Sequence, residues 1–206
     1  ADHVVVSGRV KPHTGFVGEI ESGLHKMMLI GLGKHKGATI YHQAIVHYSF
    51  DRIIRGVAQQ VIDNCGVLFG LAMVENQYDE TAMIDAVPPD RFAEREKELL
   101  ILAKKWMPRL PFDQVDLLVI DAMGKNISGS GMDTNVVGRK YNDHAAAEKE
   151  FPKVTRILVR GLTPETHGNA AGIGMAEYCH KRLVDGMNVE ATVINCMTGN
   201  APSGAA

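Results

Sequence analysis

An excess of charge of either sign is what this sequence most plainly lacks. Its 22 Lys and Arg stand against 24 Asp and Glu, a net charge of −2, so there is no basic footprint for nucleic acid. No apolar run reaches the length that crosses a bilayer, and the first residues do not have the pattern of a signal peptide. Internal repeats and low-complexity linkers are missing too. Cysteine is scarce: Cys65, Cys179 and Cys196 make an odd number in apolar stretches. They read as buried free thiols of a reducing compartment rather than as a disulfide framework. Cytoplasmic is the default expectation, with neither nucleic acid nor membrane as partner.

What is present suffices for a globular protein. The 206 residues, 45% apolar and 22% charged, allow one sizeable core or two small lobes. Residues 3–7 predict a buried strand, and helical spacing of apolar residues runs from about Ala38 to Ile62. Segments 65–76 and 81–87 have strand character. "PPDRFAEREKELLILAKKWM" opens on Pro88-Pro89 and stops before Pro108, a helix with both ends marked. "VDLLVIDAMG" (115–124) is the clearest buried strand, and "VTRILVRGL" (154–162) is another. "NAAGIGMAEYCHKRLVDGM" predicts a helix entered through a small-residue turn, and "EATVINCM" (190–197) a last strand. Strands alternating with helices predict an α/β fold, a mixed sheet with flanking helices, with room for two small lobes. The break at "PRLPFD" divides a first lobe, residues 1–110, from a second α/β lobe or the start of one, residues 111–206.

Two segments hold candidate chemistry. The first, "DAMGKNISGSGMDTNVVGRKY", follows a strand's carboxyl end, where α/β proteins bind ligands. Backbone N–H groups at its glycines can cradle an anion, and Lys125, Arg139 and Lys140 suit a phosphate or carboxylate. A surface loop with solvated charges explains the composition equally well. A second small-residue turn, "THGNAAGIGM", offers anion binding or close packing. Gly168, Gly172 and Gly174 do not have the dinucleotide-fingerprint spacing. The second segment, residues 8–47, holds five of the nine histidines, with Lys11, Lys26, Lys34 and Lys36, broken by glycines. His42 and His47 lie five apart, so they do not share a helix face as a zinc pair would, and no Cys or Glu completes a set. A self-contained zinc site is a poor explanation. Histidine is nevertheless a common metal ligand and an acid/base near neutral pH.

The stretches "GRVKPHTGF", "ESGLHKMMLIGLGKHKGA" with "YHQA", "IDAMGKNISGSGMDTNVVGR" and "LTPETHGNAAGIGMAEYCHKRLVD" are spread over most of the chain, from Gly8 to Asp185. In them the sequence resembles the nickel-dependent lactate racemase family, and more closely its racemase-like relatives. The resemblance implies an isomerase, a racemase or epimerase of a small 2-hydroxy acid. It also implies a nickel pincer nucleotide, nickel held by pyridinium bisthiocarboxylate mononucleotide, tethered to a lysine with a histidine on the metal. Carried onto this sequence, Pro12-His13 matches the Pro-His pair, with His13 as acid/base. Lys26 would be the tether and His42 the nickel ligand, sixteen positions apart as in the family's pattern. The lysine that grips the substrate carboxylate falls near Lys140, with Arg139 competing. A neutral histidine can take the hydroxyl proton while the cofactor accepts and returns hydride.

There are departures. The approach to the tether is "GLHK", with Leu24 and His25 where the family has a second small residue. The family's N-terminal part, with a second catalytic histidine, would lie before Ala1. The resemblance therefore implies a piece of a longer chain, not expected to turn over alone. A rival reading keeps the fold and an anion pocket without the pincer, a nucleotide- or phosphate-binding module using Lys34, Lys36 and Lys125. A third makes the chain a structural domain of a larger enzyme. Which 2-hydroxy acid is used stays open, as does oligomeric state, a homo-oligomer included.

Overall fold

The computed structural model describes residues 2–44, 47–142 and 144–199, without the side chains of 38, 42, 43, 198 and 199. The chain is α/β and forms two compact units. The first comprises Ala1–His13 and Val17–Pro108, the second Thr14–Phe16 and Arg109–Ala206.

The first unit is built on a mixed three-stranded sheet. Strand β1 (Val4–Arg9) pairs parallel with β2 (Val67–Glu75), which pairs antiparallel with β3 (Thr81–Val87). A parallel pair needs a long crossover, and here it contains α1 (Leu24–Lys26), a π-helical turn over Met27–Leu32, α2 (Lys34–Ala44) and α3 (Phe50–Asn64). The β2–β3 link is short because Asn76 Oδ1 accepts from the N–H groups of Tyr78 and Glu80. After β3, a 3-10 turn at Pro89–Arg91 leads into α4 (Phe92–Trp106). Its seam of Phe92, Leu99, Leu100 and Ala103 packs with Val6, Val10, Ala72 and Val74 into one core.

The helical stretch expected from Ala38 to Ile62 is two helices, not one. Ser49 is extended and its hydroxyl accepts from the Arg52 N–H, which starts α3. Ser49→Ala is expected to lower stability by about 1 kcal/mol, measured as a shifted denaturation midpoint.

The second unit has a parallel sheet of β4 (Gln114–Ile120), β5 (Lys153–Val159) and the short β6 (Tyr178–Cys179). Helix α5 (Thr134–Val137) lies in the β4–β5 crossover. Met123, Val154, Ile157, Val159, Met175 and Leu183 make the core.

Four expectations are corrected here. Strand β4 is an edge strand, covered on one face only: Leu118 and Ile120 pack on the core, while Leu117 and Val119 are about half exposed. Residues 169–187 are not one helix. They form a 3-10 turn at Ile173–Met175, β6 and the five-residue α6 (Lys181–Asp185), because Gly168 and Gly172 take positive φ and break the helical path. "EATVINCM" is part of helix α7 (Val189–Gly199), begun where Asn188 Oδ1 accepts from the Ala191 N–H. The three cysteines are free but not buried. Cys65 caps the exposed end of α3, Cys179 lies on β6 and is exposed, and Cys196 on α7 is half-buried. No helix among the described residues is long and apolar enough to cross a membrane.

Candidate functional site

In the first unit the site grows from the end of β1. The Val10 N–H bonds Met73 O at 2.8 Å, which keeps the chain on the sheet as far as Lys11. The Lys11 N–H then bonds Ser22 O at 3.0 Å, so residues 11–22 leave the sheet and return to the same point. His13 lies at the start of this excursion. Its main-chain N–H donates to Glu21 Oε2 at 2.7 Å, while Glu21 Oε1 accepts from Lys104 Nζ at 2.6 Å and from the Gly18 N–H at 3.3 Å. Glu21 is 1% exposed, a charge tolerable inside because these donors surround it. The His13 loop is thus tied to α4 through Glu21 and Lys104. Its ring lies 5.9 Å from that of Phe50, the first residue of α3, and Phe50 meets the Tyr41 ring edge-on at 5.7 Å. Burial pushes the Tyr41 hydroxyl up to about 12, so Tyr41 stays protonated at neutral pH and can donate.

Lys26 ends α1, immediately before the π-helical turn. Its ammonium is half-buried and, among the described residues, has no hydrogen-bonding or ionic partner. Burial first, and then the like charge of Lys11, bring its pKa down to about 8. The structure thus brings His13 and Lys26 into one unit, with Lys11 as the shared neighbour. His42 follows Tyr41 on α2, but its side chain lies outside the described residues. Among the described residues no group of three or more His, Cys, Asp and Glu could hold a metal.

In the second unit the loop after Asp121 satisfies itself. The Gly124 N–H bonds Gly131 O, the Gly131 N–H bonds Ser128 O, and the Ser128 N–H bonds Gly124 O. Lys125 Nζ donates to Gly129 O, and burial lowers its pKa. The donors expected to cradle an anion are therefore largely engaged within the loop. The turn at 166–172 is a packing device as well: the Ala170 N–H bonds Thr192 Oγ1 and the Ala171 N–H bonds Asn169 Oδ1.

Arg139 and Lys140 follow Gly138, which closes α5 at φ 70°. Lys140 Nζ donates to Asn135 Oδ1 at 2.8 Å, and its N–H to Glu150 Oε1 at 2.6 Å. Arg139 is 1% exposed, and among the described residues only Nη2 reaches a carboxylate, Glu177 Oε1 at 3.4 Å, while Nε and Nη1 have no partner. Buried polar atoms without partners are rare. Of the two residues, Arg139 therefore keeps the donor capacity an anion could use.

Sequence reasoning passed over Glu21, Tyr41, Lys104 and Glu96. The signal for Glu96 was available: it interrupts the apolar seam of α4 between Phe92 and Leu99, where an apolar residue is expected. No known protein family, curated protein or solved structure matches the chain.

Proposed function

We propose that this chain is the cofactor-binding part of a racemase or epimerase that acts on a 2-hydroxy acid through a nickel pincer nucleotide tethered to Lys26. The observation that carries this reading is the state of Lys26: a half-buried amine with a pKa near 8 and no counter-ion among the described residues. An amine attacks an acyl carbon only when neutral. At pH 7.5 roughly a quarter of such an amine is neutral, against about 0.1% for an ordinary lysine. An unpaired lysine is costly to keep buried, and a covalent link at the amine would remove that cost by removing the charge.

When bound, the nickel group would supply a hydride acceptor of a kind no side chain offers. The remaining work falls to the chain. Lys26 would anchor the group, and His42 on α2 would be the metal's protein ligand. His13, its main chain held by Glu21, would take the proton from the substrate's 2-hydroxyl. Its packing against Phe50 would limit the ring's directions.

The test is expression of the full native chain with the cofactor-synthesis machinery, followed by peptide mass and metal analysis. An adduct on the Lys26 peptide with stoichiometric nickel is expected. His42→Ala should lose nickel and keep the adduct. His13→Ala should keep both and stop exchange of the substrate's 2-hydrogen. Unmodified Lys26 and no nickel in the native protein would sink the proposal.

A further inference from the structure

The Glu96 carboxylate sits in the apolar seam of α4, 2% exposed. One oxygen, Oε2, accepts twice from the same residue: from the His25 N–H at 3.1 Å and from the His25 ring at Nδ1. Against an ionised carboxylate, which can only accept, the ring donates from Nδ1, and a neutral ring then carries its lone pair on Nε2. The other oxygen, Oε1, has no partner among the described residues and lies 1.9 Å from where a Cβ on Gly23 would stand. A side chain at Gly23 would therefore have to displace the carboxylate, which occupies that space; its φ of 168° is ordinary extended backbone.

The same contacts solve a problem at the start of α1. The first N–H groups of a helix have no partners within it, and Gly23, at the N-cap, has no side chain to supply one. Glu96 supplies it from another helix and adds negative charge at the helix's positive end. His25 is held at two points, main chain and ring, and its ring also packs edge-on against Phe92 at 6.4 Å. Lys26 is the next residue. His25 and Lys26 lie in the first turn of a helical run that continues into the π-helical turn, and a first turn is held mainly by what caps it, so the direction in which Lys26 leaves the backbone depends on what holds His25.

We propose that Glu96 is a positioning residue for Lys26: by gripping His25 and capping α1, it holds the lysine in its half-buried place. This takes Lys26 as the anchor proposed above. Glu96 acts through His25 and touches no reacting atom. Hydrogen bonding carries the effect, so a glutamine, whose amide oxygen accepts the same two bonds, would preserve it. Lys11 is the charged neighbour that acts on Lys26 and is unchanged in every variant below.

The test is trace acetylation of the unloaded protein with acetic anhydride across a pH series, with the Lys26 peptide quantified by mass spectrometry. The exposed Lys181 serves as internal reference. Wild type should give a midpoint for Lys26 near 8. In Glu96→Ala the loosened helix lets the ammonium reach water, and the midpoint should rise by about one pH unit or more, a tenfold smaller neutral fraction near pH 7. Gly23→Ala, which displaces the carboxylate by a separate route, should produce the same rise. Glu96→Gln should stay close to wild type. If Glu96→Ala does not fold, Gly23→Ala and Glu96→Gln decide the matter. A wild-type midpoint in Gly23→Ala, with only a lower melting temperature, overturns the proposal, and so does a Glu96→Gln midpoint displaced as far as that of Gly23→Ala. The midpoint shift in a native protein that takes up no nickel would keep the positioning role and remove the cofactor reading.

Discussion

Replacing Lys26 by methionine is expected to abolish the cofactor adduct and, in the unloaded protein, to raise stability at pH 7. The two effects have one cause. Folding moves the Lys26 amine from its ordinary value of 10.5 to about 8, chiefly by burial. Below pH 8 both folded and unfolded chains hold the proton, and the penalty for burying the charge is fully present. Between about 8 and 10.5 the folded state is neutral while the unfolded state still binds a proton, so stability rises with pH. Above that range the penalty is gone. Its upper limit is roughly 3 kcal/mol, and partial exposure reduces it to about 1–3 kcal/mol through solvent screening. Urea denaturation of wild type and Lys26→Met at neutral and at high pH reads the effect directly. The variant should lead at pH 7, and the gap should close as pH rises through 8–10.5. A variant less stable than wild type at pH 7, with a gap independent of pH, would show that Lys26 is not held buried and charged.

Gly172→Ala should destabilise the second unit by about 3 kcal/mol or more. Two penalties coincide there. The backbone has φ 99°, a conformation that side chains make costly. A Cβ would also lie 1.8 Å from Ser130 O, a backbone atom that cannot rotate away. The loop at 124–131 and the turn at 166–172 would have to separate, exposing Met123 and Met175, which are fully buried between them. Hydrogen exchange at Gly124 and Gly131, whose N–H groups bond within this loop, should quicken together with the drop in denaturation midpoint. A change under about 1 kcal/mol would mean that the turn is not packed as described.

Much of the fold was legible because its signals are local. Strands β1, β2 and β3 are runs of β-formers next to turns, and α4 is bounded by Pro88-Pro89 and Pro108. The misread segments are those where local signals conflict. "EATVINCM" has the composition of a strand, but an Asn188 cap placed just before it makes it a helix. Residues 169–187 have helix formers in their second half, yet Gly168 and Gly172 take positive φ and lie against Gly186–Asn188 and Ser130 respectively, approaches that come from tertiary packing. The cysteines stand in apolar sequence, but Cys65 at a helix end and Cys179 on a two-residue strand are exposed, and Cys196 is only half-buried.

The candidate site divides the same way. The residue types, their order along the chain and the interval from Lys26 to His42 are properties of the sequence alone. So are the balanced charge and the α/β alternation. The condition of those residues is not local. The low pKa of Lys26 arises because the fold withdraws it from water and sets Lys11 beside it. The hold on His13 comes from Glu21 and on His25 from Glu96, the latter 71 positions away along the chain. The burial of Arg139, adjacent in sequence to the exposed Tyr141 loop, is likewise a product of packing. Spacing along a chain determines which groups can be neighbours on one element. Desolvation and capping by a distant helix depend on packing, and packing exists only once the chain has folded.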